Sequence, residues 1–336
     1  MKFPLALLLV PSLAFAHPDH DQKPGKDIDK PVHTGNGEWQ YEAVPHWGEL
    51  PNGKKVGPTH GGVVIDPKTG YIYVSTDAPH GILVYQPDGK ALPPIAPECQ
   101  GFHAMAVREE KGQTVIYGAQ LSGPNALRVC KIDTKGELLF ELSQTTIGDI
   151  QGGWNGLTAV AVAPDGAVFC SMGYGAQFIH KFTSTGKHLK TFGGPGNGDG
   201  QTNTSHGLAI DTRFGEPRLL VCDRENRRLV HFDLDGKWIG VHATHLRRPC
   251  SVSILGDHVA VAELESRVTI LDKTGTPVAF LGDNPNREQW AKFPIPVDQM
   301  KLGIFTSPHG LSFDKDGNLY VQDWNESGRV TKLKKL

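Results

Sequence analysis

The stretch "SHGLAID" at Ser205–Asp211 returns about a hundred residues later as "PHGLSFD" at Pro308–Asp314, each time with a histidine leading a short apolar strand. One such histidine reads as a polar strand cap; two invite a search for further copies. Six segments align on that register. They are "HGGVVIDPKTGYIYVSTDAPHGILVYQPDGK" from His60, "HAMAVREEKGQTVIYGAQLSGPNALRVCKIDTKG" from His103 and "TAVAVAPDGAVFCSMGYGAQFIHKFTSTGK" from Thr158. The others are "HGLAIDTRFGEPRLLVCDRENRRLVHFDLDGK" from His206, "CSVSILGDHVAVAELESRVTILDKTGT" from Cys250 and "HGLSFDKDGNLYVQDWNESGRVTKLKKL" from His309. Their starts lie 43, 55, 48, 44 and 59 residues apart, the period of a propeller blade with insertions.

Each unit repeats one logic: an apolar strand, a turn such as "PDG" or "KDG", a second strand, a polar loop and a third strand. "TSTGK", "DLDGK" and "DKTGT" close the third strand with hairpin chemistry, glycine supplying the positive φ. A fourth, outer strand follows in most units, for example "WIGVHA" from Trp238. A lone unit would expose an apolar face, so the units must stack in a ring. The prediction is an all-β, six-bladed β-propeller over residues 38–336. The sixth unit ends at Leu336 without an outer strand, and "EWQYEAV" at Glu38–Val44 is expected to supply it, closing the last blade.

The flanks read differently. Residues 1–16, "MKFPLALLLVPSLAFA", carry one Lys2, an apolar run and small residues at Ala14 and Ala16, the pattern of a signal peptide cleaved after Ala16. A secreted or periplasmic location is expected. The apolar run is shorter than the roughly 20 residues of a membrane span, and no later segment replaces it. Residues 17–37 are polar and lack an apolar period, as in a flexible tail. With 34 Lys and Arg against 36 Asp and Glu, no basic surplus favours nucleic acid. Five cysteines, Cys99, Cys130, Cys170, Cys222 and Cys250, are an odd number, so one at least stays unpaired or binds something.

First strands line the channel of a propeller, so the leading residues of the units form a circle: His60, His103, Thr158, His206, Cys250 and His309. His103, His206 and His309 fall in alternate blades, about 120° apart in a six-fold ring. Three imidazoles converging from three sides fit zinc or another divalent transition metal, with a fourth position open for water or substrate. The bland alternative is a set of channel histidines bonded to one another and to water. His60 and Cys250 either extend the site or line it.

With these residues in view, the repeats resemble NHL repeats, including the glycine-rich approach "FGGPGNGDGQTNTSHGLAID". Their arrangement is similar to the peptidylamidoglycolate lyases, which split a peptidyl-α-hydroxyglycine into a peptide amide and glyoxylate. The resemblance implies zinc on His103, His206 and His309. It implies a catalytic tyrosine at Tyr174, in "CSMGYGAQF", and a substrate-binding arginine at Arg224, in "CDREN". Tyr174 read as a packing aromatic, and Arg224 paired with Asp223 or Glu225, are the corresponding structural readings.

The departures from the family pattern are specific. Its second substrate arginine meets Thr76 or Asp77 here, the cysteine after its tyrosine is Gly175, and the acidic residue it associates with structural calcium is Gly310. Calcium therefore enters only as a possibility the family raises. Arg247 or Arg248 could lend the missing cation, and the sequence carries no monooxygenase domain. The expected function is a metal-dependent, lyase-like enzyme acting on a small molecule or peptide. The alternatives are a non-catalytic propeller that binds a peptide, glycan or protein around a structural metal, and a regucalcin-type lactonase. Imidazole in place of Glu, Asn and Asp argues against the last.

Overall fold

The computed structural model describes residues 32–336, which form six antiparallel sheets around one axis. The predicted signal peptide and the first part of the predicted tail lie outside the described residues. Five sheets have four strands each. In blade 4, for example, Ser205–Asp211 lies innermost, followed outward by Arg218–Asp223, Arg228–Asp233 and Trp238–Ala243. The innermost strands of neighbouring blades pack against one another around the channel. Between blades, the two sheet faces bury continuous apolar clusters, as when Phe169, Ile179 and Phe192 of blade 3 meet Leu219, Val221 and Phe232 of blade 4. No helix among the described residues is long and apolar enough to cross a membrane.

The sixth sheet closes the ring. Its inner strands come from the C-terminus, Pro308–Phe313, Leu319–Asp323 and Arg329–Lys335, and Trp39–Ala43 pairs antiparallel with the last of these, Tyr41 opposite Lys335 and Ala43 opposite Leu333. The strand expected within Glu38–Val44 therefore does complete the last blade. One boundary moves: Val32–Asn36, placed in the flexible tail by the sequence reading, forms a hairpin with Trp39–Ala43 and makes this a five-stranded sheet. The cause is local. Val32 packs on the blade 5–6 core, and Thr34 Oγ1 accepts a hydrogen bond from Gly282 N at 2.8 Å, tying the hairpin to blade 5.

The apolar side of Trp39–Ala43 puts Trp39, Tyr41 and Ala43 into that core, with Tyr41 fully buried and its hydroxyl unpartnered. Replacing Tyr41 by Ala should cost about 3–5 kcal/mol, as for other large-to-small core changes. Tyr41→Phe, which removes a hydroxyl that nothing satisfies, should leave the midpoint of thermal unfolding unchanged or raise it. An unchanged midpoint in Tyr41→Ala would mean that this strand does not hold the ring closed.

Candidate functional site

In four blades the innermost strand departs from regular pairing at the ring position. Register shifts fall between Phe102 and Ala104, Ser205 and Leu208, Pro249 and Ser251, and Pro308 and Gly310, bracketing His103, His206, Cys250 and His309. A bulge of this kind leaves a residue out of the ladder and re-aims its side chain, here into the channel. The same four blades share a clasp. A polar residue ends the second strand, bonds the backbone three residues before the ring position and is held by the arginine that opens the third strand. In blade 4, Asp223 accepts from Asn203 N at 2.7 Å and from Arg228 Nε at 2.6 Å. In blade 5, Glu263 accepts from Arg247 N at 2.6 Å and Arg267 Nη2 at 2.8 Å. In blade 6, Asp323 accepts from Thr306 N at 2.8 Å and Arg329 Nη2 at 2.7 Å. Blade 2 has an uncharged version, Gln120 donating to Gln100 O at 2.7 Å while Arg128 Nε donates to it.

Held in this way, His103, His206 and His309 are almost wholly buried, and their ring centroids form a triangle with sides of 4.7, 4.8 and 4.8 Å. Each Nδ1 faces a backbone carbonyl: Thr158 O at 2.6 Å, Cys250 O at 2.8 Å and Gly61 O at 3.3 Å. A carbonyl only accepts, so Nδ1 carries the proton and Nε2 presents a bare lone pair. Metal-binding histidines are oriented by this kind of outer bond.

Tyr174 and Arg224 meet at the same point. Tyr174 Oη lies 3.2 Å from His103 Nε2, 3.0 Å from His206 Nε2 and 3.5 Å from His60 Nε2, and accepts from Arg224 Nη1 at 3.1 Å. The Tyr174 residue is 38% exposed, its hydroxyl turned to the histidines. Arg224 also donates from Nε to Glu225 at 2.9 Å, so it serves both Tyr174 and the ion pair the sequence offered as its structural role. One phenolic proton can satisfy one imidazole, while His309 Nε2 has no partner at all. The centre thus holds more lone pairs than donors. Donor atoms of His60, His103 and His309 lie within 4.8 Å of one another, as do those of His206, Cys250 and His309.

Burial, with neighbouring imidazoles and Arg224, holds His103, His206 and His309 well below the usual histidine range; burial and then Arg224 take His60 down to about 4. These rings are neutral at pH 7 and free to ligate. Burial pushes Tyr174 up to about 12 against the opposing pull of Arg224, and pushes the Cys250 thiol up to about 11. All five cysteines are free and buried.

The departures from the family pattern acquire causes. At Gly175 a Cβ would stand 1.9 Å from Asn155 Oδ1, and at Gly310 it would stand 2.4 Å from Gly61 O, so neither position accepts the family's side chain. Below the histidines lies a chamber of about 50 Å³ lined by Gly61, Ala104, Gly207, Ser251 and Gly310 among others, with no carboxylate for calcium. Of the two residues set against the family's second arginine, Thr76 donates to Gly81 O at 2.8 Å and Asp77 accepts from Ser122 at 3.2 Å. Of the two arginines in "LRRPC", Arg247 turns to Asp283 and Trp290, whereas Arg248 Nη2 donates at 2.7 Å to Glu225 Oε1, the same oxygen that accepts from Arg224 Nε. The sequence reading passed over the bulges and the clasp. An acid or amide followed four to eight residues later by arginine, as in "DRENRR", "ELESR", "DWNESGR" and "QLSGPNALR", is the signal that could have exposed the clasp.

No protein-family model matches the sequence, and no curated protein is similar to it. Among solved structures, a streptogramin B lyase is similar over 89% of this chain and 99% of its own, at 14% identity and a TM-score of 0.55. A catalytically inactive variant of virginiamycin B lyase from Staphylococcus aureus, with quinupristin, aligns over 89% of this chain and 100% of its own, at 13% identity and a TM-score of 0.58. A structural-genomics protein described as a candidate gluconolactonase aligns over 85% of this chain and 94% of its own, at 14% identity and a TM-score of 0.57. At such identities the likeness shows the six-bladed propeller fold.

An imidazole in the unfolded chain titrates near 6.5, and the folded ring histidines titrate lower. In the metal-free protein their stability is therefore complete above about pH 6.5 and falls as pH drops, because only the unfolded state takes up the protons. Each group contributes a slope of up to about 1.4 kcal/mol per pH unit inside its window, which for His60 closes near pH 4. Thermal unfolding in EDTA should show a steeper loss from pH 6.5 to pH 4 in wild type than in a His103→Gln, His206→Gln, His309→Gln variant. Equal slopes would contradict the neutral, buried ring.

Proposed function

We propose that the protein is a metal-dependent lyase with NHL-type repeats, similar in its chemistry to the peptidylamidoglycolate lyases and acting outside the cytoplasm. The observation that carries this reading is the meeting of Tyr174 Oη with Nε2 of His103 and His206 and with the guanidinium of Arg224, residues from three blades and far apart in sequence. In this reading His103, His206 and His309 hold zinc or a similar transition ion through Nε2. Three neutral imidazoles suit such an ion, and among the described residues neither candidate ligand group includes a carboxylate, which speaks against calcium and a regucalcin-type lactonase. The bound ion supplies Lewis acidity toward a substrate oxygen and favours the ionised phenol.

The residues of the chain then divide the reaction. Arg224 grips a substrate carboxylate while Nε stays on Glu225, which keeps the guanidinium plane fixed. Tyr174, as phenolate, takes the proton of the substrate's α-hydroxyl; that oxygen becomes the carbonyl of glyoxylate as the carbon–nitrogen bond breaks. The same phenol returns the proton to the departing amide nitrogen, so the step needs no outside oxidant or reductant. Thr76 or Asp77 in place of a second arginine weakens the hold on the carboxylate and favours a competing reading, a binding propeller in which the ion is structural.

Elemental analysis of the purified mature protein should find one equivalent of zinc or a similar ion, lost in the His103→Ala, His206→Ala, His309→Ala variant. An α-hydroxyglycine model compound should be cleaved by wild type, with kcat reduced by about 100-fold or more in Tyr174→Phe, the scale of a lost general base. Bound metal without turnover would support the binding propeller, and absence of metal from wild type would overturn both readings.

A further inference from the structure

Resting on the reading that this ring holds a metal, we propose that His60 is a fourth nitrogen ligand, so that the ion is held by imidazoles from blades 1, 2, 4 and 6. The ring is lopsided in a way that three-fold spacing does not explain. His103 and His309 form a shared edge, closed on one side by the His206 ring and on the other by the His60 ring, whose centroid lies 4.5 Å from His103 and 4.8 Å from His309. The donor atoms of His60, His103 and His309 fall within 4.8 Å of one another, so this side of the edge is itself a ligand group. His309 Nε2, on the shared edge, is a buried imidazole nitrogen with no hydrogen-bond partner.

His60 differs from the other three in its attachments. Its backbone is pinned by the next two residues, Gly61 N donating to Gln322 Oε1 at 3.0 Å and Gly62 N to Ser75 Oγ at 2.8 Å. Among the described residues no carbonyl tethers its Nδ1, and its Nε2 reaches Tyr174 Oη at 3.5 Å, long for a hydrogen bond. Trp324 and Tyr174 flank the ring, with centroids at 5.7 and 6.3 Å. The base of the side chain is thus fixed while the ring keeps the freedom to turn its lone pair toward the shared edge. Cys250 holds the corresponding place beside the His206–His309 edge, but its thiol faces Arg248 O at 3.7 Å. A site with four imidazoles selects ions that accept an all-nitrogen set. Its least tethered member, His60, is the ligand that an incoming substrate oxygen would displace.

The test uses Co²⁺ as the probe on the full mature chain. Wild type should bind one equivalent of Co²⁺. His60→Ala should still bind one equivalent, with affinity lower by about 10–100-fold in competition with a chelator, the range in which even outer-sphere support is felt. Its visible ligand-field bands should shift, and added imidazole should restore the wild-type spectrum. The unfolding midpoint of the metal-free variant should match wild type, and His60→Gln provides a second variant if His60→Ala does not fold. Wild-type affinity and spectrum in His60→Ala would overturn the fourth ligand while leaving the three-histidine site standing. Failure of wild type to take up Co²⁺ or Zn²⁺ would instead overturn the metal reading on which this inference rests.

Discussion

A buried side chain at the end of the second strand, bonded to the backbone three residues ahead of the channel and to the arginine opening the third strand, is the interaction on which the site depends. Asp223, Glu263 and Asp323 are fully buried, where an isolated carboxylate would be untenable. Removing one partner from such a pair typically costs about 3–5 kcal/mol, because the other charge stays behind in the interior. Each clasp therefore fixes where the chain enters its innermost strand, and the bulge that follows fixes where the next side chain points. Blades 1 and 3 end the same strand in Ser75 and Ser171, which bond backbone through hydroxyls and take no arginine. Three residues beyond Ser171 stands Tyr174. Rigid support comes from the blades that carry the triad histidines, while a blade without the arginine-held clasp carries the phenol.

The geometry gives the site its chemistry. Carbonyls at Nδ1 set the tautomer, burial keeps the rings neutral, and together they turn bare Nε2 atoms inward. A centre with more lone pairs than protons is a poor resting state for a protein interior and a good one for a cation. Arg224 stands at the rim with its guanidinium braced by Glu225, whose Oε1 also accepts from Arg248. The site is thus cationic toward the solvent and basic toward the axis, an arrangement suited to an anionic substrate whose hydroxyl proton is to be moved.

Much of this was legible in the sequence. The "HGLAID" and "HGLSFD" repeats carried the blade count and register, and "EWQYEAV" carried the closure, because strand periodicity and a missing outer strand are local facts. The grouping of His103, His206 and His309 followed from propeller symmetry, since equal register in a ring means proximity at the axis. Other features escaped because they depend on contacts across blades. The strand at Val32–Asn36 exists through its packing on blade 5 and reads as tail when taken alone. The obstacle at Gly310 is the backbone of Gly61, some two hundred and fifty residues away in sequence.

The central claim is that buried imidazoles, and not thiol or carboxylate, converge on one metal. X-ray absorption fine structure at the zinc edge of the loaded protein measures this directly. The account predicts a first shell of nitrogen at about 2.0–2.1 Å with the outer-shell pattern of imidazole rings. A sulfur contribution near about 2.3 Å, which would place Cys250 on the metal, or a shell of oxygen without imidazole scattering, would contradict it.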